Sequence, residues 1–397
     1  MTSKQTAVLA GIRVLDFASM IAGAYCTRLL ADLGAEVIKC EPLEGDYVRV
    51  PPPLRDGKSA YFAHLNCGKK SLCFDLKRPK ARELVADLAA QSDVVVENFR
   101  PGVMQRLGLD YEALAKQKPD LVYCAITGYG QSGPDAGLPA YAPIIHAASG
   151  YDLANLEHQE NLERPLRTGL YVADYFSGMA AAGAIQGALL HRERTGQGQA
   201  VDIALMDSML NMLVYQMLQH EFTFEGPLML YAPSPTRDGY VIVVPLTQAN
   251  FIALAEVTGH AEWLSDPRFA SFVERQRNWD ELMVLIDQWT AERTSEECEA
   301  LISAAGCPVS RYQTVGQATE SAQSRHRGVL SEVDDGAGPV HVINAPWRLS
   351  QSPVGARPWV AEAGQHTREV LCGLLGLSPE RVTELAQMGV LIAADGQ

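Results

Sequence analysis

Two rhythms of apolar residues organise the first half of this chain. Arg13-Val-Leu-Asp-Phe17 is a short β-branched run, residues 23–33 carry helical spacing until Gly34 stops them, and Glu36-Val-Ile-Lys-Cys-Glu41 is a second run of strand type. Strand, helix and strand within about 30 residues make a βαβ unit, whose sheet is parallel and whose crossover is right-handed. The same reading predicts strands over 69–77, 94–96, 120–126 and 199–205. It also predicts a helix opened by Pro79, where the missing N–H does no harm, with Leu84, Val85 and Leu88 on one face. The fold class is therefore α/β with a Rossmann-like parallel sheet.

Between the last two of these strands, residues 175–190 run almost without charge, with Gly178, Gly183 and Gly187 among alanines. About 15 apolar residues are too few to cross a bilayer, so the stretch reads as a close-packed buried helix. Asp174 stands where the N-cap of that helix belongs, a position that favours Asp because its carboxylate accepts from the first free amides. The helix N-terminus would also favour the charged form of the carboxylate.

The texture changes after the next helix, read over 206–222 as an apolar segment whose methionines pack in a core. Glu225-Gly-Pro227 breaks the chain, Tyr240-Val-Ile-Val-Val244 is a strand, and three amphipathic helices follow over 251–304. The last begins with Thr294-Ser-Glu-Glu297, a capping box. Residues 1–225 thus form the first part of a large domain and 226–330 a smaller α+β domain. Residues 331–397, with short strands and a helix at 367–375, return to the large domain.

Composition narrows the chemistry. Of 397 residues, 47% are hydrophobic and 20% charged, as in ordinary soluble domains. A net charge of −14 excludes general binding to nucleic acid or to anionic membranes, which require a cationic face. Eight scattered cysteines lack metal-ligand or disulfide spacing and read as buried thiols, with no metal site and a cytoplasmic location expected.

The turn after the first strand, Ala18-Ser-Met-Ile-Ala-Gly23, lacks the G-x-G-x-x-G through which a dinucleotide pyrophosphate approaches the chain. That absence argues against NAD binding, although Glu41 ends the second strand where a ribose would sit. Glu97-Asn-Phe-Arg-Pro-Gly102 and Thr127-Gly-Tyr-Gly-Gln-Ser-Gly-Pro134 leave the carboxyl ends of two strands, where open α/β sheets bind ligands. Lys69, Lys70, Lys77, Arg100 and Arg106 are the cations nearest that edge.

Val14-Leu-Asp-Phe17 with Ala22-Gly23, Leu33-Gly-Ala-Glu-Val-Ile-Lys39, Asn98-Phe-Arg-Pro-Gly102, Gly128-Tyr-Gly-Gln-Ser-Gly-Pro134, Thr195-Gly-Gln-Gly-Gln199 and Gly364-Gln-His-Thr367, in this order and spacing, resemble the family III coenzyme A transferases. That group contains formyl-CoA:oxalate and carnitine CoA-transferases and α-methylacyl-CoA racemase. The resemblance implies a large domain built from both chain ends, a small middle domain and an interlocked homodimer. It implies an acyl-CoA donor and a carboxylic acid acceptor as substrates, with no tightly bound cofactor.

By the same resemblance Asp174 attacks the thioester, and an enzyme-CoA thioester then forms on it. Tyr141 and Ile21 are its active-site neighbours, and Met20, Ala22, Phe74, Lys77, Asn98, Phe99 and Arg106 contact CoA. The chain departs from the family at Pro42 and Pro139, where some members carry a phosphate-binding arginine and a lysine. At Ile21 the oxalate enzymes carry glutamine, and their glycine-rich flap is replaced here by Pro227-Leu-Met-Leu-Tyr-Ala-Pro-Ser-Pro235.

Arg167, Arg237 and His146 are candidates to meet the distal carboxylate of a short dicarboxylic acid such as succinate, mesaconate or glutarate. Two alternatives are weighed against CoA transfer. Racemisation of 2-methylacyl-CoA needs a histidine paired with the aspartate, but Tyr141 occupies that position. A non-catalytic acyl-CoA binder on the same fold is the other.

Overall fold

The computed structural model describes residues 6–159, 162–222 and 230–393. The break expected at Glu225–Pro227, the expected boundary at 225/226 and the start of the loop at Pro227 lie outside them. The chain divides into two compact units, Met1–Val214 with Gln323–Gln397, and Tyr215–Ala322.

The first unit is built on a seven-stranded, mainly parallel sheet. Its strands are β1 (Arg13–Asp16), β2 (Glu36–Glu41), β3 (Lys69–Phe74), β4 (Val94–Glu97), β5 (Val122–Thr127) and β6 (Gln199–Ala204), each ending within a few residues of its sequence-based position. Val, Ile and Leu side chains alternate to the two faces of these strands. Val14, Val37, Val94, Val122 and Ile126 turn to one core; Leu15, Ile38, Val95 and Tyr123 turn to the other.

The first face is covered by α1 (Ala22–Asp32) and the long helix, and the opposite face by α2 (Pro79–Ala90). Short helices α3 (Val103–Leu107) and α4 (Ala142–Ala148) follow β4 and β5. Helix α5 runs from Val172 to Thr195 and closes on Gly196, whose φ of 73° suits a residue without Cβ. It is longer than expected, and only one side of it is buried.

Ala173, Ser177, Ala181, Ile185 and Ala188 face the core, while Met179 and Leu190 are exposed. The apolar segment after β6 is two helices rather than one, α6 (Leu205–Met212) and α7 (Val214–Glu221), separated at Leu213. Its methionines join the core as expected only in part, Met206 packing against it beside Met209. Met209 is buried, but Leu210, Met212, Val214, Met217 and Leu218 are exposed.

The second unit carries an antiparallel three-stranded sheet, β7 (Ser234–Pro235), β8 (Tyr240–Val243) and β9 (Val309–Arg311). Its core gathers Phe251, Trp279, Leu282, Ile286 and Trp289. The expected capping box is present: Thr294 accepts from Glu297, and the Glu297 carboxylate accepts the Thr294 amide. Back in the first unit, β10 (Leu330–Asp334) and β11 (Pro339–Ile343) form a hairpin. Strand β12 (Leu391–Ile392) then pairs antiparallel with β3 at the sheet edge, giving the order β12-β3-β2-β1-β4-β5-β6. Both chain ends thus contribute to one sheet. No helix among the described residues is long and apolar enough to cross a membrane.

Candidate functional site

The carboxyl ends of β1, β2, β4 and β5 open onto two adjoining cavities. The larger, about 500 Å³, is lined by Phe17, Ser19, Pro42, Phe74, Lys77 and Phe99 among others. The smaller, about 270 Å³, is walled by Met20, Ala22, Asn98, Phe99, Tyr141 and Asp174. Ser19 and Phe99 belong to both walls, so a long ligand can occupy both. A parallel sheet makes such a crevice because its loops diverge at the carboxyl edge.

Local chemistry holds this edge in shape. Ser19 donates its amide to the Asn98 side-chain oxygen at 2.9 Å, and Asn98 Nδ2 donates back to the Ser19 carbonyl at 2.7 Å. The loops after β1 and β4 are therefore clasped together. Glu97, buried at the end of β4, accepts the Phe99 amide at 2.7 Å, and burial pushes its carboxyl up to about 7. Met20 stands in the left-handed region with φ of 63°, a conformation uncommon for a side chain of its size.

Asp174 is not the N-cap of α5. Tyr171 is, without a side-chain capping bond, and Asp174 is the third residue of the first turn. The helix starts three residues earlier than its apolar run because Val172 and Ala173 already pack against the core. Its carboxyl is also not held charged as expected: burial raises it from the ordinary aspartate value to about 7. Withdrawal from water outweighs the favourable helix end here.

Beside it, the Tyr175 and Tyr61 hydroxyls lie 3.1 Å apart, and the Tyr25 ring meets Tyr175 edge-on with centroids 4.8 Å apart. Sequence reasoning did not single out this tyrosine cluster. Adjacency of Tyr175 to Asp174 was its one signal.

The remaining expected residues divide. Met20, Ala22, Asn98, Phe99 and Tyr141 line the smaller cavity; Phe74, Lys77 and Phe99 line the larger. Ile21 adjoins the cavity in sequence, but its side chain packs into a core with Ala24, Val48, Phe62 and Leu65. Arg106 is exposed and lines neither cavity. Lys69 is not a surface cation, since its ammonium is buried and bonded to Asp16, Thr27, Asn66 and the Ala24 carbonyl. Lys70 is paired with Glu36 and Glu369.

Of the three proposed carboxylate contacts, Arg237 is paired with Glu297 at 2.6 Å. His146 is fully buried and accepts the Ala173 amide, so it is unavailable to a ligand. Arg167 is exposed but lines neither cavity. Arg100, by contrast, is the one cationic side chain among the described residues of the smaller cavity.

All eight cysteines are free, and no cluster among the described residues could hold a metal ion.

Residues 9–367 match the model of CoA-transferase family III. The chain is 32% identical over 395 residues to succinyl-CoA:glutarate CoA-transferase of Mus musculus, covering 96% of this chain and 90% of that one. It is 33% identical over 397 residues to succinyl-CoA–D-citramalate CoA-transferase of Chloroflexus aurantiacus, covering 96% and 97%. Among solved structures, a CAIB/BAIF family protein from Brucella suis superposes with a TM-score of 0.81 at 32% identity, over 93% of this chain and 100% of that one.

Proposed function

Because the chain belongs to CoA-transferase family III, and is by that membership a CoA-transferase enzyme, we propose that it moves CoA between carboxylic acids through covalent intermediates on Asp174. The observation that carries this reading is the place of Asp174. It is a carboxylate in the wall of a small cavity that adjoins a larger one of a size suited to the rest of a CoA molecule.

In this reading the adenosine end lies in the larger cavity near Phe74 and Lys77. The pantetheine arm passes Phe99, and the thioester meets Asp174. A carboxylate oxygen of Asp174 attacks the thioester carbonyl and expels CoA thiolate, forming a mixed anhydride. The thiolate attacks the aspartyl carbonyl, releasing the donor acid and leaving an aspartyl-CoA thioester. The acceptor carboxylate repeats the two steps in reverse and leaves as the new acyl-CoA with Asp174 restored. Each exchange trades one activated acyl bond for another, so no step is far uphill. A low-polarity wall suits this, because an unsolvated carboxylate is the better nucleophile once it has lost its proton.

We assign the acceptor to the short dicarboxylic acids, such as succinate, mesaconate or glutarate. Two similar enzymes are named for glutarate and citramalate, and Arg100 offers a bidentate partner for a distal carboxylate. Among the described residues no histidine lines the small cavity, which argues against proton exchange by an Asp–His pair.

A second copy of the chain completes the molecule in this proposal. It covers the exposed apolar side of α5 and α6, where Met179, Leu190, Leu210 and Met212 face outward.

The test is wild-type enzyme mixed with succinyl-CoA and hydroxylamine. Activity should disappear as the peptide carrying Asp174 gains a hydroxamate. An unmodified peptide in fully inactivated enzyme would remove the covalent route. A panel of short acids offered to succinyl-CoA then identifies the acceptor.

A further inference from the structure

Helix α5 begins without help from its own N-cap, although the first amides of any helix lack partners within it. His146, 27 residues earlier in the chain, supplies one: its Nε2 accepts the Ala173 N–H at 3.1 Å. Both residues are fully buried. A ring nitrogen that accepts carries no proton, so the neutral imidazole holds its proton on Nδ1. That Nδ1 is buried without a partner among the described residues.

An imidazole with one nitrogen satisfied and the other stranded is a poor way to fill a core. Leucine or phenylalanine would occupy the space without burying an unpaired N–H. What the histidine adds is the acceptor, and Ala173 immediately precedes Asp174. Its helix has a second connection to the site. Tyr141 is the N-cap of α4, with its carbonyl accepting from Ile144 and Ile145, and His146 lies five residues further on. One short helix therefore joins Tyr141 and Asp174, which wall the same cavity.

We propose that His146 is a positioning residue whose Nε2 anchors the first turn of α5 and thereby aims the Asp174 carboxylate at the thioester. This rests on the reading of Asp174 as the nucleophile. The histidine touches no substrate, and its effect passes through the Ala173 amide.

Two substitutions in the full-length chain separate the acceptor from the volume. His146→Leu keeps the bulk and loses the acceptor, whereas His146→Gln places an amide oxygen near the position of Nε2. The leucine variant should lose about 10- to 100-fold in kcat, the scale expected for a displaced reacting group, with KM for acyl-CoA changed by less than about threefold. The glutamine variant should recover to within about threefold of wild type. Hydroxylamine trapping at Asp174 should slow in the leucine variant alone.

Full activity in the leucine variant, or equal losses in both, would overturn the proposal. Should either variant fail to fold, nitrogen-15 spectra of the wild-type imidazole decide. A protonated Nδ1 with a bare Nε2 is expected, and a proton on Nε2 would overturn it. The two readings fail differently. Absence of any wild-type adduct at Asp174 removes the nucleophile, while normal wild-type trapping with an unslowed leucine variant removes only the positioning role.

Discussion

Gly178 on α5 lies against the carbonyl oxygen of Ala22 on α1, so close that a Cβ on Gly178 would stand 2.6 Å from that oxygen and 3.2 Å from the Tyr25 ring. Ala22 walls the small cavity and Gly178 lies one turn beyond Asp174 on the same helix. The contact therefore sets the distance between the two sides of the site. Gly178→Ala should cost about 1–3 kcal/mol of stability by overpacking and lower the CoA-exchange rate as well. Thermal unfolding and exchange assays on one preparation check both. Unchanged values would mean that α1 and α5 can separate freely.

Asp174 should govern the pH dependence of the first half-reaction. Its acid form dominates below about 7, and only the carboxylate attacks. The rate constant kcat/KM for acyl-CoA should fall about tenfold per pH unit below 7 and level off above it. A profile flat down to pH 5 would contradict the geometry.

The same shift has a sign in stability. A carboxyl whose folded value is raised binds its proton more tightly when folded, so its contribution weakens as pH rises from the unfolded value near 3.8 through about 7. Asp174→Asn removes that penalty. The variant should lose all exchange activity yet be more stable than wild type at pH 8, by about 2–4 kcal/mol, with the difference vanishing near pH 4. Chemical denaturation at the two pH values measures it.

Lys69 and Asp16 form a buried ion pair at 3.1 Å. Lys69→Met leaves the buried Asp16 without its cationic partner and should destabilise by about 3–5 kcal/mol. Adding Asp16→Asn should return much of that loss, which a double-mutant cycle in urea resolves.

Light scattering should give the mass of two chains. Charge placed on the outer face of α5, as in Met179→Lys or Leu190→Glu, should shift the population toward single chains if a second copy covers that face. Unaltered assembly would place the contact elsewhere.

Much of this molecule is written locally. The strands of the large sheet, the helix opened by Pro79 and the capping box at Thr294 and Glu297 depend on residues within a few positions of one another. Period and turn chemistry are sufficient to read them. Asp174, Tyr141, Asn98 and Phe99 could be named because they lie in or beside recognisable motifs.

What no local pattern holds is the identity of a side chain's partner. Lys69 looks like a surface lysine until Asp16, 53 residues away, takes its ammonium out of solvent. Arg237 meets Glu297 across 60 residues, and His146 reaches the amide before Asp174 across 27. Helix α5 reads as buried all round from its small residues, yet within the chain only one face is buried. Even the acidity of Asp174 reverses its local expectation, because the helix end that favours its charge is a matter of sequence and the loss of water that opposes it exists only once the chain has folded.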